Sequence, residues 1–177
     1  MIRKNLKLFF LLIFLTFLVP TQILARVTPN DLYQAKRAAF ESNLSKIPDP
    51  FKREQVIKAD QLLNEINQQV SLRFDKDINR LSAILEEEKE RQGRTDTIVA
   101  YGQGNTTLDS AAYYLNYAAE AIAYQKIQDY TPQIGQGSLD RALKLSLNNL
   151  NGNLKTVKGK ILRAKLEVKK AVDYYEN

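Results

Sequence analysis

The chain of 177 residues contains no cysteine, no histidine and no tryptophan. Without histidine or cysteine, Ser-His and Cys-His nucleophile systems are excluded, as are the ligand sets that ordinarily hold zinc, copper or haem. An enzyme would have to work with Asp, Glu, Lys, Ser or Tyr alone, as glycosidases do with paired carboxylates. Because no catalytic or cofactor-binding motif is present, we expect no enzymatic activity, no cofactor and no metal site.

The first 25 residues differ in composition from the rest of the chain. A basic start precedes an uninterrupted apolar run from Leu8 to Leu15, and Ala25 supplies the small residue that a signal peptidase requires. The pattern predicts a signal peptide over residues 1–25 or, if it is retained, a membrane anchor through residues 6–25, since a bilayer-spanning helix needs about 20 residues. We therefore expect an exported protein, which is periplasmic, on the cell surface or secreted. With no cysteine, its fold must rest on packing rather than on disulfides.

Proline and glycine are scarce, at five and seven residues, and they separate long helical patterns. Helix-start signals stand at Thr28-Pro29, Asp49-Pro50, Thr106 and Ser138. We predict an all-α fold, an elongated bundle or coiled-coil-like hairpin of about four helices. The helices are predicted at about 29–46, 50–92, 107–130 and 139–175 within a single domain, 26–177. We expect the second and last helices to pair antiparallel.

The last predicted helix has the most regular apolar pattern in the chain. Its apolar residues recur at alternating steps of four and three, which is the pattern of a coiled-coil seam. This heptad seam comprises Leu143, Leu147, Leu150, Leu154, Val157, Ile161, Ala164, Val168, Ala171 and Tyr175. Gly152 and Gly159 fall opposite the seam, and if the helix is interrupted anywhere, residues 148–153 are the expected place. The seam predicts a contact either within the protein or between copies.

Two further groups of side chains are candidates for interaction. On the third helix, Tyr113, Tyr117 and Tyr124 share one face beside Glu120, opposite the apolar face. This face either packs against neighbouring helices or is presented to a protein or glycan partner. The last helix carries a basic set beside the seam, Lys155, Lys158, Lys160, Arg163 and Lys165. This set either pairs with the acidic end of the second helix and otherwise forms a solvated basic face, or it binds an anionic membrane or cell-wall polymer.

These patterns favour an exported, non-catalytic helical interaction protein: a scaffold, an adaptor or a chaperone-like bundle. In plan, with an export segment, long amphipathic helices and a basic end, the chain resembles periplasmic holdase chaperones, from which no residue role is carried over. The expected partner is a protein or a second copy of the chain. The alternative is a membrane- or cell-wall-surface binding module acting through the basic C-terminal helix. Export and the modest net charge disfavour nucleic acid as a partner.

Overall fold

The structure, a computed structural model, describes residues 29–93, 107–135 and 138–176. The chain divides into two compact units, Met1–Leu32 and Tyr33–Asn177. Of the first unit only the start of one helix is described, and the contacts given below belong to the second. The predicted signal or anchor segment, residues 1–25, and the helix-start signals Thr28 and Thr106 lie outside the described residues, as does the side chain of Tyr175.

The described residues form four α-helices: α1, Pro29–Leu44; α2, Pro50–Arg91; α3, Thr107–Lys126; and α4, Leu139–Glu176. Together they confirm the predicted all-α helical bundle. Asp49 caps α2 as expected, because its Oδ1 accepts a hydrogen bond of 2.9 Å from the Phe51 amide. No break occurs at 148–153, and α4 is continuous. The two glycines of α4 are exposed, so they leave no gap in its packed face.

Two helices end earlier than the sequence predicts. At the end of α1 the Lys46 amide donates to the Asn43 carbonyl, so a tight turn replaces the helix from residue 45 onward. α3 ends at Lys126 instead of residue 130. Residues 128–131 leave the helix because they are drawn into polar contacts with other parts of the fold, described below. Thr131 also precedes Pro132, and a residue before proline is disfavoured in the helical region.

α2 and α4 lie parallel to each other. Leu63, in the first half of α2, packs with Leu150 in the first half of α4. Further along both helices, Leu81 lies beside Ile161. The predicted antiparallel pairing is therefore wrong. The physical reason is that α3 carries the chain back along the bundle, so the helix that follows it runs in the direction of α2.

The core lies where α2, α3 and α4 meet, and all three helices contribute buried apolar side chains. They are Ile78 and Leu85 of α2; Leu108, Ala111, Ala112, Leu115, Ala118 and Ile122 of α3; and Val157, Ile161, Ala164, Val168 and Ala171 of α4. The heptad seam is thus an internal contact from Leu150 to Ala171, with Leu154 only half-buried. Nearer the start of α4 the seam leaves the core: Leu143 is half-buried, Leu147 is 43% exposed, and Ser146 is buried instead.

Candidate functional site

At one end of the bundle a buried ion-pair cluster joins α1, α2 and the segment after α3. Arg37 donates to Asp60 Oδ2 at 2.5 Å and to Asp129 Oδ1 at 3.2 Å, and the side chains of both aspartates are less than one-tenth exposed. Burial by itself lowers the pKa of Arg37. The hydrogen bond to Asp60 and the charges of both aspartates outweigh that effect, so the pKa is raised above its ordinary value. Asp129 Oδ1 also accepts from the Thr131 amide and hydroxyl at 3.2 and 2.6 Å.

A second polar cluster, of uncharged side chains, lies between the ion pair and the apolar core. Gln125 Nε2 donates to Asn67 Oδ1 at 2.7 Å and to Tyr130 Oη at 2.6 Å. Asn67 Nδ2 in turn donates to the backbone carbonyls of Gln125 and Gln128, and Asn153 Nδ2 donates to Tyr130 Oη at 2.9 Å. We call these two clusters together the polar junction. It fixes the segment after α3 against α2 and α4.

Beside the polar junction lies an open cleft of about 480 Å³. Its lining is largely neutral and polar, and Asp129 is the one acid in it. The full set is Lys36, Gln128, Asp129, Tyr130, Thr131, Gln133, Ser138, Arg141, Ala142, Leu145, Ser146, Asn149 and Asn153. Because Asp129 is already bound by Arg37, the cleft offers hydrogen-bonding groups, but its described lining residues bring no pair of free carboxylates together. In the described part of the chain, no three acidic side chains are grouped so that they could hold a metal ion.

The tyrosines of α3 form a surface together with cations of α4. The rings of Tyr113 and Tyr117 are stacked, with centroids 6.3 Å apart and planes 5° from parallel, and Tyr114 meets Tyr113 edge-on at 5.2 Å. Lys160 Nζ lies 4.0 Å from the centroid of Tyr117, and the Arg163 guanidinium lies 4.9 Å from that of Tyr114. These are cation–π distances. We call these five residues, together with Tyr124 further along the same face of α3, the tyrosine surface.

Exposure of the tyrosine face increases along α3. Tyr113 is half-buried, whereas Tyr117 is 43% exposed and Tyr124 is 66% exposed, with Glu120 also open to solvent. Sequence reasoning placed the tyrosines on one face but did not connect them with Lys160 and Arg163. The connection follows from register: α3 and α4 are antiparallel neighbours, so three residues forward on one helix correspond to three residues back on the other.

Two of the other candidate cations of α4 lie on its opposite side, next to α2. Lys158 and Lys165, with Arg80 of α2, edge a groove of about 280 Å³. The apolar part of the groove is formed by Phe74, Leu81, Ile161 and Leu162. Asp77 is the one acid among its described lining residues. We call this the basic groove. Lys155, one turn before Lys158, is exposed on the same helix.

Pairing of the basic set with the acidic end of α2 was one of the two interpretations of the sequence. In the described part of the chain, acids at the end of α2 pair within their own helix instead: Glu86 with Lys89 at 2.6 Å, and Glu87 with Arg91 at 3.3 Å. On α4, Arg163 pairs with Glu167 of the same helix at 2.9 Å. Among the described residues no ion pair joins the basic set to the acidic end of α2, whereas Lys155, Lys158 and Lys165 are exposed, as a solvated basic face requires.

Comparison of the chain with family models, with curated proteins and with solved structures found no match. Among the helices described, none has both the length and the apolar content required to cross a bilayer. Inferences about function therefore depend on the surfaces and side chains of this chain alone.

Proposed function

We propose that the protein is an exported, non-catalytic helical interaction protein that binds a protein partner through the tyrosine surface. The observation that carries the proposal is the exposed pair Tyr117 and Tyr124 beside stacked, cation-capped rings on a helix whose other face is buried. Tyrosine combines a large apolar body with a polar tip. Tyrosine and arginine are enriched among the residues that dominate binding energy at interfaces.

Rigidity supports this role for the tyrosine surface. Directly beneath it, Ala111, Leu115 and Ala118 are buried in the core, so α3 has little freedom to shift. The stacking of Tyr113 on Tyr117 and the position of Lys160 restrict the rings further. Because ordering side chains on binding costs about 0.5–1.5 kcal/mol for each flexible one, a preordered surface binds more tightly than a mobile surface of equal area.

The burial of the seam also supports an outward-facing site. Between Leu150 and Ala171 the most regular apolar stripe of the chain is covered by α2 and α3. A partner must therefore contact the outer faces of the bundle. Among those in the described region, the tyrosine surface carries the most aromatic side chains. A binding role is also consistent with a chain that has no histidine and no cysteine.

The proposal is tested by site-specific photocrosslinking in the cells that naturally produce the protein. A benzoylphenylalanine is placed at Tyr117 in the full-length chain, with Phe51 as the control position, because Phe51 is aromatic, 66% exposed and at the far end of α2. We expect one discrete protein adduct from position 117 and none of that mass from position 51. Lys160→Ala should lower the yield of a crosslinker placed at Tyr124 severalfold. No adduct at 117, or the same adducts at both positions, would contradict the proposal.

A further inference from the structure

We infer that the basic groove between α2 and α4 is a second docking site, whose occupant is an amphipathic helix of a partner protein with acidic residues flanking its apolar ridge. The groove lies on the opposite side of α4 from the tyrosine surface, so docking in the groove does not depend on binding at that surface. The shape of the groove, its charge and its apolar floor each support it.

The shape of the groove suits a helix. α2 and α4 run parallel along its two sides, and its floor is formed by Phe74 and Leu81, both half-buried, and by Ile161, which is buried. The space between two packed helices accepts the side-chain ridge of a third, as ridges pack into grooves throughout helical proteins. Peptide helices that dock in this way place apolar anchors at steps of three and four residues.

The charge of the groove determines what must flank that ridge. Arg80, Lys158 and Lys165 are all exposed, and in the part of the chain that the structure describes none has an acidic partner within ion-pair distance. Lys158 and Lys165 are two helical turns apart on one rim, and Arg80 stands on the other. An occupant with acids on both sides of its apolar ridge would meet cations on both rims, which favours encounter and fixes orientation.

The two sides of α4 make the contrast clear. On the side facing α3, the cations are engaged: Lys160 lies over the Tyr117 ring, and Arg163 and Lys170 pair with Glu167 at 2.9 and 3.0 Å. On the side facing α2, Lys158 and Lys165 stand beside apolar side chains in a groove whose lining also includes Asp77, and neither forms an ion pair with a described residue. The same helix thus has satisfied cations on one side and unsatisfied ones around an apolar floor on the other.

The concave floor favours a helix over an anionic membrane or a cell-wall polymer. A bilayer surface would reach the outward leucines, Leu162 and Leu166, which are 56% and 45% exposed, together with the neighbouring lysines. Phe74 and Leu81 lie between the two helices and are half-buried, so they contribute less to contact with a flat surface than to contact with an inserted ridge. A charged polymer would be held by the lysines alone and would gain nothing from the floor. If binding depends on Leu81, the occupant is therefore a helix, and neither a membrane nor a polymer.

The experiment uses the full-length chain and designed peptides. The first peptide is a helix with leucines at alternating steps of three and four and glutamates flanking them; the second replaces every glutamate with lysine. Binding is measured by fluorescence anisotropy, and cosedimentation with phosphatidylglycerol vesicles is measured in parallel. We expect the glutamate peptide to bind and the lysine peptide not to bind. Leu81→Ala should lower the affinity for the glutamate peptide without changing cosedimentation with vesicles. Circular dichroism verifies that the variant is folded.

Charge reversal supplies the matched test. The double variant Lys158→Glu with Lys165→Glu should bind the glutamate peptide with an affinity lower by about tenfold or more, and it should bind the lysine peptide. The control, Lys52→Glu with Lys144→Glu, changes the net charge equally at exposed positions outside the groove and should leave peptide affinity unchanged. Three results would each overturn the inference. The first is that the glutamate peptide does not bind, and the second is that the two double variants affect its affinity equally. The third is that the chain binds vesicles through Lys158 and Lys165 while Leu81→Ala leaves the affinity for the glutamate peptide unchanged.

Discussion

The apolar core and the polar junction are adjacent in the bundle but are built on different principles. Ile122, fully buried, is the last core residue of α3, and Gln125, one turn later, is the first residue of the polar junction. In the core, side chains from three helices exclude water without directional bonds. In the polar junction, hydrogen bonds and ion pairs between specific atoms hold the segments together.

The comparison teaches that the two regions contribute different properties to one fold. Apolar burial supplies the larger part of the free energy of folding, at roughly 25 cal/mol per Å². Buried polar contacts contribute little net free energy while intact, but they are costly to leave unsatisfied. The core therefore makes the bundle stable, and the polar junction determines where α3 ends and where α1 attaches.

The largest effect is expected from a cavity in the core. Ile122→Ala removes buried methyl groups at a position with no solvent exposure and should lower the free energy of unfolding by about 3 kcal/mol. The matched control is Ile127→Ala, five residues later and 71% exposed, which should change it by less than about 0.5 kcal/mol. Urea unfolding of both variants measures the difference, and equal effects would mean that the core is not where the structure places it.

The next effect is expected from the ion-pair cluster. Arg37→Met leaves Asp60 and Asp129 without their shared partner, and it should cost about 2 kcal/mol because Arg37 is itself 22% exposed. Replacing both aspartates with asparagine in the same variant should recover most of this loss. A raised pKa means that the arginine contribution is present below its ordinary pKa and is lost only as pH rises through the raised value. The cost should therefore be the same at about pH 7 and about pH 10; a cost that falls over this range would contradict the assignment.

A smaller effect is expected from the uncharged part of the polar junction. Gln125→Leu keeps the volume but leaves Asn67 Oδ1 without its donor and Tyr130 Oη with Asn153 as its one remaining donor among the described residues, at a cost of about 1.5 kcal/mol. Asn67→Leu combined with it should cost less than the two single changes added, because the second change removes an unsatisfied group. Strict additivity in a double-mutant cycle would show that these two side chains do not interact.

The smallest effect has the opposite sign. At Gly152 and Gly159 an added Cβ would meet no atom within 4 Å, so Gly152→Ala and Gly159→Ala should each raise the free energy of unfolding by about 0.5–1 kcal/mol. Gly135→Ala is the contrasting change. There φ is +113° and the new Cβ would lie 3.2 Å from Asn43 Nδ2, so the substitution should destabilise. Thermal unfolding of the three variants tests the difference in sign.

The core could be predicted from the sequence because periodicity is a local signal. The seam from Leu150 to Ala171 and the cap at Asp49 are both decided by residues within a few turns of one another. The polar junction could not be predicted in this way. Arg37 and Asp129 are 92 residues apart, and no spacing rule selects one aspartate among many.

Two errors have the same origin. The end of α3 was predicted too late. The helix ends early because Asn67 donates hydrogen bonds to the carbonyls of Gln125 and Gln128, and these bonds compete with continuation of the helix. Leu147 was assigned to the seam because its spacing is regular, yet α4 faces a polar cleft at that level and Ser146 is buried instead. In both cases a tertiary neighbour, not the local pattern, determines the structure.

The most direct test of the account is whether the heptad seam of α4 is an internal contact, since the outer faces of α4 are available to partners only if it is. Chemical unfolding of the chain is followed at two protein concentrations about a hundredfold apart. We predict the same unfolding midpoint at both, because Leu150 to Ala171 pack against α2 and α3 of the same chain. A midpoint that rises with concentration would mean that the fold depends on association, and it would contradict an internal seam.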